Sequence, residues 1–120
     1  MPELILKIIS LLLVGNVVVL TPQFETIHNA TITAYSSSVD ETDSTPFIMA
    51  NGQRVFYGAI ACPRRYPFGT IVRGLGIDMV CADRMNIRYT GDEFDIWLPS
   101  KKEAQEFGKI KADLYILEIN

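Results

Sequence analysis

Hydrophobic and polar positions along this chain fall into three regimes. Residues 8–20 are almost continuously apolar, Ile-Ile-Ser-Leu-Leu-Leu-Val-Gly-Asn-Val-Val-Val-Leu, and follow Lys7 and the terminal amine. A basic end followed by an apolar run is the layout of an export signal and predicts a hydrophobic helix. From residue 31 the pattern shortens. Thr31-Ile32-Thr33-Ala34-Tyr35 alternates polar with apolar and stops at three serines, which predicts a half-buried strand running into a loop. Further apolar segments at residues 47–50, 55–61, 70–73, 79–82, 94–98 and 112–119 are separated by Asn51-Gly52, Pro63, Pro67-Phe68-Gly69, Gly74-Leu75-Gly76 and Thr90-Gly91-Asp92. Short strands with such regular punctuation favour a closed all-β barrel over an open sheet. One helix interrupts them. Ser100-Lys101-Lys102-Glu103 is a capping box, Gly108 supplies a left-handed stop, and Ala104 and Phe107 are spaced to pack one face on the barrel.

At 120 residues, 48% of them apolar, the chain allows one domain and one core, with no room for a cofactor module. Residues 1–21 read as a signal peptide or signal anchor, residues 22–30 as a linker, and residues 31–120 as the domain. Extended back to Leu4, the apolar run is slightly under the roughly 20 residues of a spanning helix. No small-x-small cleavage site follows it, and Pro22 stands where a cut is expected. A removed signal and an uncleaved anchor both stay open, as does a buried N-terminal helix or strand. Lys7, with no further Lys or Arg before Arg54, predicts an N-terminus inside and an extracytoplasmic domain, touching membrane only through this segment.

Removing residues 1–20 takes away Glu3 and Lys7 together, so the net charge stays at -3. A net-acidic domain without a Lys/Arg stripe is a poor partner for nucleic acid, whose affinity comes from cations neutralising phosphates. The two cysteines, Cys62 and Cys81, either close a disulfide worth about 3 kcal/mol in an oxidising compartment or are two buried thiols. With one histidine, His28, and no Cys-x-x-Cys, no zinc set assembles, so neither metal nor cofactor is expected. Asn29-Ala30-Thr31 matches a glycosylation sequon, a pattern short enough to arise by chance.

The candidate chemistry lies in two aspartates, each in a short apolar stretch: Val80-Cys81-Ala82-Asp83 and Phe94-Asp95-Ile96-Trp97. A carboxyl among such neighbours is partly desolvated, which raises its pKa and keeps a proton available for donation. Strand alternation puts Asp95 and Trp97 on one face and Phe94 and Ile96 on the other, toward the core. An acid beside an indole suits a sugar, whose ring stacks while the carboxyl meets the glycosidic oxygen. The competing assignment has Trp97 as packing and Asp95 as a loop cap.

Taken in order, Thr33-Ala34-Tyr35-Ser36, Glu41-Thr42-Asp43-Ser44-Thr45-Pro46, Ala50-Asn51-Gly52-Gln53-Arg54-Val55, Pro67-Phe68-Gly69-Thr70, Asp83, Phe94-Asp95-Ile96-Trp97, Pro99-Ser100 and Glu103-Ala104-x-x-Phe107-Gly108 resemble the three-aspartate, or 3D, domain. That domain is the six-stranded double-psi β-barrel at the catalytic end of membrane-bound lytic transglycosylase A and of stationary-phase-survival and resuscitation-type muralytic proteins. Expansins and rare lipoprotein A share the barrel more distantly. The resemblance covers residues 31–119.

It implies cleavage of peptidoglycan strands between N-acetylmuramic acid and N-acetylglucosamine, with closure to a 1,6-anhydro product; the domain is expected to be a monomer. Asp95 takes the place of the family's general acid and then base, and Asp83 that of its supporting acid. Trp97, Tyr35, Thr42, Asp43 and Arg84 are the candidate substrate-binding residues, and Arg84 is also placed to keep Asp83 ionised. Two departures stand out. Cys62-Pro63 occupies the place of the family's first aspartate, and Arg84-Met85-Asn86 replaces a Thr-Gly-Gly-like loop. A Cys62–Cys81 bridge would then take over from a carboxylate contact in tying the site strands together. The alternatives are a noncatalytic, expansin-like glycan-binding barrel and a cysteine enzyme using Cys62 with His28.

Overall fold

The computed structural model describes residues 9–22, 24–38 and 47–117. Strands β1 (Ile9–Val14) and β2 (Val17–Pro22) form an antiparallel hairpin of their own, with Leu11 opposite Leu20 and Val14 opposite Val17. The apolar run there predicts a helix. Its centre is Gly15-Asn16, however, with Gly15 at φ +60, the residue and dihedral a tight hairpin turn asks for, and three β-branched valines follow. No helix among the described residues is long and apolar enough to cross a membrane. Residues 1–8 lie outside the described residues.

The remaining strands are β3 (Glu25–Tyr35), β4 (Ala59–Cys62), β5 (Ile71–Gly74), β6 (Ile77–Arg84), β7 (Glu93–Trp97) and β8 (Ile110–Leu117). They close into a barrel in the order β3-β7-β4-β6-β5-β8. The pairs β3–β7 and β4–β6 are parallel and the rest antiparallel. This closed six-stranded barrel fits the double-psi barrel that the sequence resemblance implies.

The barrel begins earlier than expected. Residues 25–30, read from sequence as linker, are the first half of β3 and pair with β8, Ile27 opposite Leu114. A bulge at His28 and Asn29, the latter at φ +61, puts Ile27 and Ala30 in the core three residues apart. That spacing breaks the two-residue alternation by which a half-buried strand is recognised. Residues 47–50 are likewise not a strand. They meet Arg54 in a single bridge through Ile48, around the Asn51-Gly52 turn.

Phe94, Ile32, Ile60, Val72, Met79, Leu114 and Ile116 fill the interior with no exposed surface, each stabilising the fold by roughly 1.5–3 kcal/mol. The Cys62–Cys81 disulfide lies among them and joins β4 to β6. Helix α1 (Lys101–Phe107) starts on Ser100, whose hydroxyl accepts from the Glu103 N–H at 3.1 Å. It ends at Gly108, φ +67, whose N–H returns to the Ala104 carbonyl. Ala104 is buried and Phe107 packs on the core, as the capping box and spacing predict.

Candidate functional site

The site lies on the outer face of β7, β4 and β6. β4 is buried along its whole length because its outward residues, Ala59 and Ala61, are small enough to be covered. Tyr35, Trp97, Met49 and Ala82 form a second apolar cluster over them, with Val55 and Met85 at its margin. The flap of residues 47–56, closed by the Ile48–Arg54 bridge, brings Met49 and Val55 into place.

Pairing sets one row of side chains across four strands. Thr33 on β3 is opposite Asp95 on β7, Asp95 is opposite Ala61 on β4, and Ala61 is opposite Asp83 on β6. Residues opposite one another share a face, so both carboxylates stand outside the barrel with only an alanine methyl between their strands. On β7 the alternation resolves as expected: Phe94 and Ile96 enter the core, while Trp97 joins the outer cluster.

Asp83 needs a special device to get there. Cys81 points inward, and strict alternation would send Asp83 the same way. The register jumps between Ile60–Cys81 and Ala61–Asp83, so Ala82 is an extra residue, and the bulge turns Asp83 outward. This is invisible in the sequence, where the only trace is a small residue, Ala82, before the acid.

Each carboxylate is held by hydrogen bonds. Asp83 accepts from the Tyr35 hydroxyl at 2.6 Å, from the Ala50 N–H at 3.0 Å and from its neighbour's N–H, that of Arg84, at 2.9 Å. Asp95 accepts from the Thr33 hydroxyl at 2.9 Å. Burial, then the hydrogen bond to Asp83 and the charges of Asp83 and Asp95, push the Tyr35 hydroxyl far above the ordinary phenol range. Tyr35 therefore stays a proton donor between the two acids.

The other expected residues are placed as follows. Trp97 is 8% exposed, its indole N–H donating to the Ser37 hydroxyl at 3.0 Å, so it forms the floor of the site and not an open platform. Tyr35 is also buried, with its hydroxyl committed to Asp83. The Arg84 guanidinium lies over the Phe68 ring, 4.0 Å from its centroid, and it is the Arg84 backbone that reaches Asp83. Thr42 and Asp43 lie outside the described residues. His28 is in the β3 bulge, 3.6 Å from Asp113, and the Cys62 sulfur is bonded to Cys81, so no thiol is left for that pair to use. Among the described residues no three His, Cys, Asp or Glu side chains gather as metal ligands.

Sequence reasoning missed Thr33, Ala61 and Tyr57 as members of the site. Tyr57 is 68% exposed and sets its ring edge-on to Trp97, with centroids 5.9 Å apart and planes at 74°. Its ring is open to solvent at this face. Its signal was weak, a tyrosine within a run of residues that reads as a strand.

No protein-family model matches the chain, and no curated protein matches it. Among solved structures, the crystal structure of MltA from E. coli is similar, at 17% sequence identity and a TM-score of 0.49. The match covers 87% of this chain and 31% of that one, so the chain spans less than a third of that protein's length.

Proposed function

We propose that this chain is a lytic transglycosylase that cleaves peptidoglycan strands between muramic acid and glucosamine. The observation that carries the proposal is the row Thr33–Asp95–Ala61–Asp83, which sets two half-buried carboxylates on one outer face, on the strands that flank β4. The ordered motifs of the 3D-domain resemblance agree with it, because they place the acid and its supporting acid at these same two positions.

Asp95, entering protonated, gives its proton to the bridging oxygen as the bond from that oxygen to the muramic C1 breaks. Glucosamine leaves with the proton, and positive charge develops at C1. Asp83, whose oxygens are oriented by three donors, faces that charge as a carboxylate. The muramic C6 hydroxyl oxygen then bonds to C1, and its proton returns to Asp95. No water is consumed, so one carboxyl serves both steps and no second acid is needed on the opposite face. Thr33 orients Asp95, Tyr35 orients Asp83, and Tyr57 over the Trp97 floor offers the ring on which a sugar stacks. A peptidoglycan substrate calls for a domain that acts outside the cytoplasmic membrane, here as a monomer.

The second reading is a noncatalytic glycan-binding barrel. It is favoured by the exposed aromatic rings of Tyr57, Phe47 and Phe56, which suit sugar contact without chemistry. Purified sacculi separate the two. The wild-type chain is expected to release 1,6-anhydro-muropeptides, and Asp95→Asn to lower the rate by at least about a hundredfold while still binding sacculi. Binding by both proteins with product from neither means the binding module.

A further inference from the structure

Where β4 and β6 end side by side, at Cys62-Pro63 and Arg84-Met85, the chain leaves the barrel, and the two loops line a half-open cavity of about 310 Å³. Pro63, Arg64, Arg65, Met85, Ile87 and Tyr89 contribute to its walls. Although the chain is net acidic, four of its six arginines, Arg64, Arg65, Arg84 and Arg88, fall on these two segments. Two of them are engaged nearby: Arg65 with the Asp92 carboxylate and the Gly91 carbonyl, and Arg88 with the Tyr89 hydroxyl.

Arg64 and Arg84 differ. Among the described residues no carboxylate pairs with the Arg64 side chain. Burial, then the nearby charge of Arg64, depress the Arg84 guanidinium, and only the weaker pull of Asp83 opposes them. The Nη1 of Arg84 is buried with no acceptor. The guanidinium rests on the Phe68 ring, but a buried N–H without an acceptor is still costly, and a second guanidinium within reach of its charge raises that cost further. Arg84 is not part of the cavity lining, so an anion held there by Arg64 would act on Arg84 by offsetting the charge that Arg64 presents to it.

The cavity also joins the site described above. Met85 lines it and packs at the margin of the Tyr35–Trp97 cluster, two residues beyond Asp83. A group attached to a sugar at Asp95 and Asp83 therefore has a short path into it.

We propose that this cavity is a subsite for the carboxylate-bearing peptide carried by the muramic acid, with Arg64 binding a peptide carboxylate, Arg84 behind it, and Pro63, Met85 and Ile87 packing the apolar side chains. The inference rests on the glycan-cleaving reading for the identity of the sugar. Largely apolar walls with a few cations at one side fit a short peptide; a phosphodiester chain would call for polar groups along its whole length.

The test uses the full chain carrying Asp95→Asn and four probes: a disaccharide-tetrapeptide, the same disaccharide without peptide, the free tetrapeptide, and the tetrapeptide with its carboxylates amidated. Calorimetry is expected to show the disaccharide-tetrapeptide binding roughly tenfold tighter than the bare disaccharide. Amidation and Arg64→Gln are each expected to remove about that factor, and Arg64→Lys to restore part of it. Arg64 is exposed, so its substitution leaves the fold intact, and a melting curve checks this.

Equal binding with and without peptide, an Arg64→Gln variant indistinguishable from its parent, or inorganic phosphate displacing the tetrapeptide at lower concentration than amidation-sensitive carboxylates require, each overturns the inference. Peptide binding in a protein whose wild type releases nothing from sacculi upholds the cavity and removes the enzymatic reading. Release from sacculi without peptide binding does the reverse.

Discussion

β4 and β8 belong to the same barrel and are buried differently. All four residues of β4 are buried, whereas along β8 Leu114 and Ile116 face the core and Lys111, Asp113 and Tyr115 face solvent. The polar groups follow suit. On the β8 side, Arg73 with Asp78 and His28 with Asp113 are pairs whose side chains stay half exposed or more. On the β4 side, Thr33, Asp83 and Asp95 are half-buried beside a buried Tyr35, and each carboxylate oxygen with a hydrogen bond has a partner fixed on another strand or loop. Exposed pairs are screened by water and contribute little. Carboxylates partly removed from water, with fixed donors, interact more strongly with one another and with any charge that develops beside them. Two alanines make the difference, because a larger outward residue on β4 would exclude Tyr35, Trp97 and Met49 from that face.

The contrast is broken most severely by removing the crosslink under the β4 side. Replacing both Cys62 and Cys81 by alanine opens a loop of nineteen residues and is expected to cost about 3 kcal/mol in urea unfolding, with a matching loss in reduced wild type. The β8 side has its own tight point. A side chain at Gly74 would run into Leu114, so Gly74→Ala is expected to destabilise by about 1–3 kcal/mol without altering binding at the Asp83–Asp95 face.

Tyr35→Phe is smaller and sharper. It removes one hydrogen bond, at about 1 kcal/mol near neutral pH. Its sign reverses at high pH. The folded hydroxyl titrates far above its unfolded value of 10.0, so above that pH the unfolded chain has released a proton the folded chain still holds. Wild-type stability then falls as pH rises, by about 1.4 kcal/mol per unit from this group, and Tyr35→Phe should lack that part of the slope. A denaturation series from pH 8 to 11 reads the difference. At the small end, Arg73→Ala on the solvated side should leave the thermal midpoint unchanged; a clear loss would mean that the two sides are not distinct after all.

The amino-acid sequence by itself determined a good deal. Alternation at residues 31–35 and 94–97, the Ser100 capping box with its Gly108 stop, and the turn residues between short apolar segments specify elements through local backbone and side-chain preferences, which need no knowledge of distant residues. The inward and outward faces of β7 followed from the same rule, and with them the placement of Asp95. The closed barrel was favoured by the same punctuation, and a Cys62–Cys81 bridge was one of two readings the cysteines left open; the ordered motifs of a known domain added which kind of barrel to expect.

Other features were decided by the tertiary structure alone, because they depend on register between strands far apart in the chain. The bulge at Ala82 turns Asp83 outward, and the bulge at residues 28–29 extends β3 back to Glu25; an extra residue in a ladder exists only relative to a partner strand. Burial of Trp97 and Tyr35 under the 47–56 flap, and the gathering of Arg64 with Arg84, likewise arise from two loops meeting in space. Periodicity along one strand says which way a side chain points, and only packing says what it finds there.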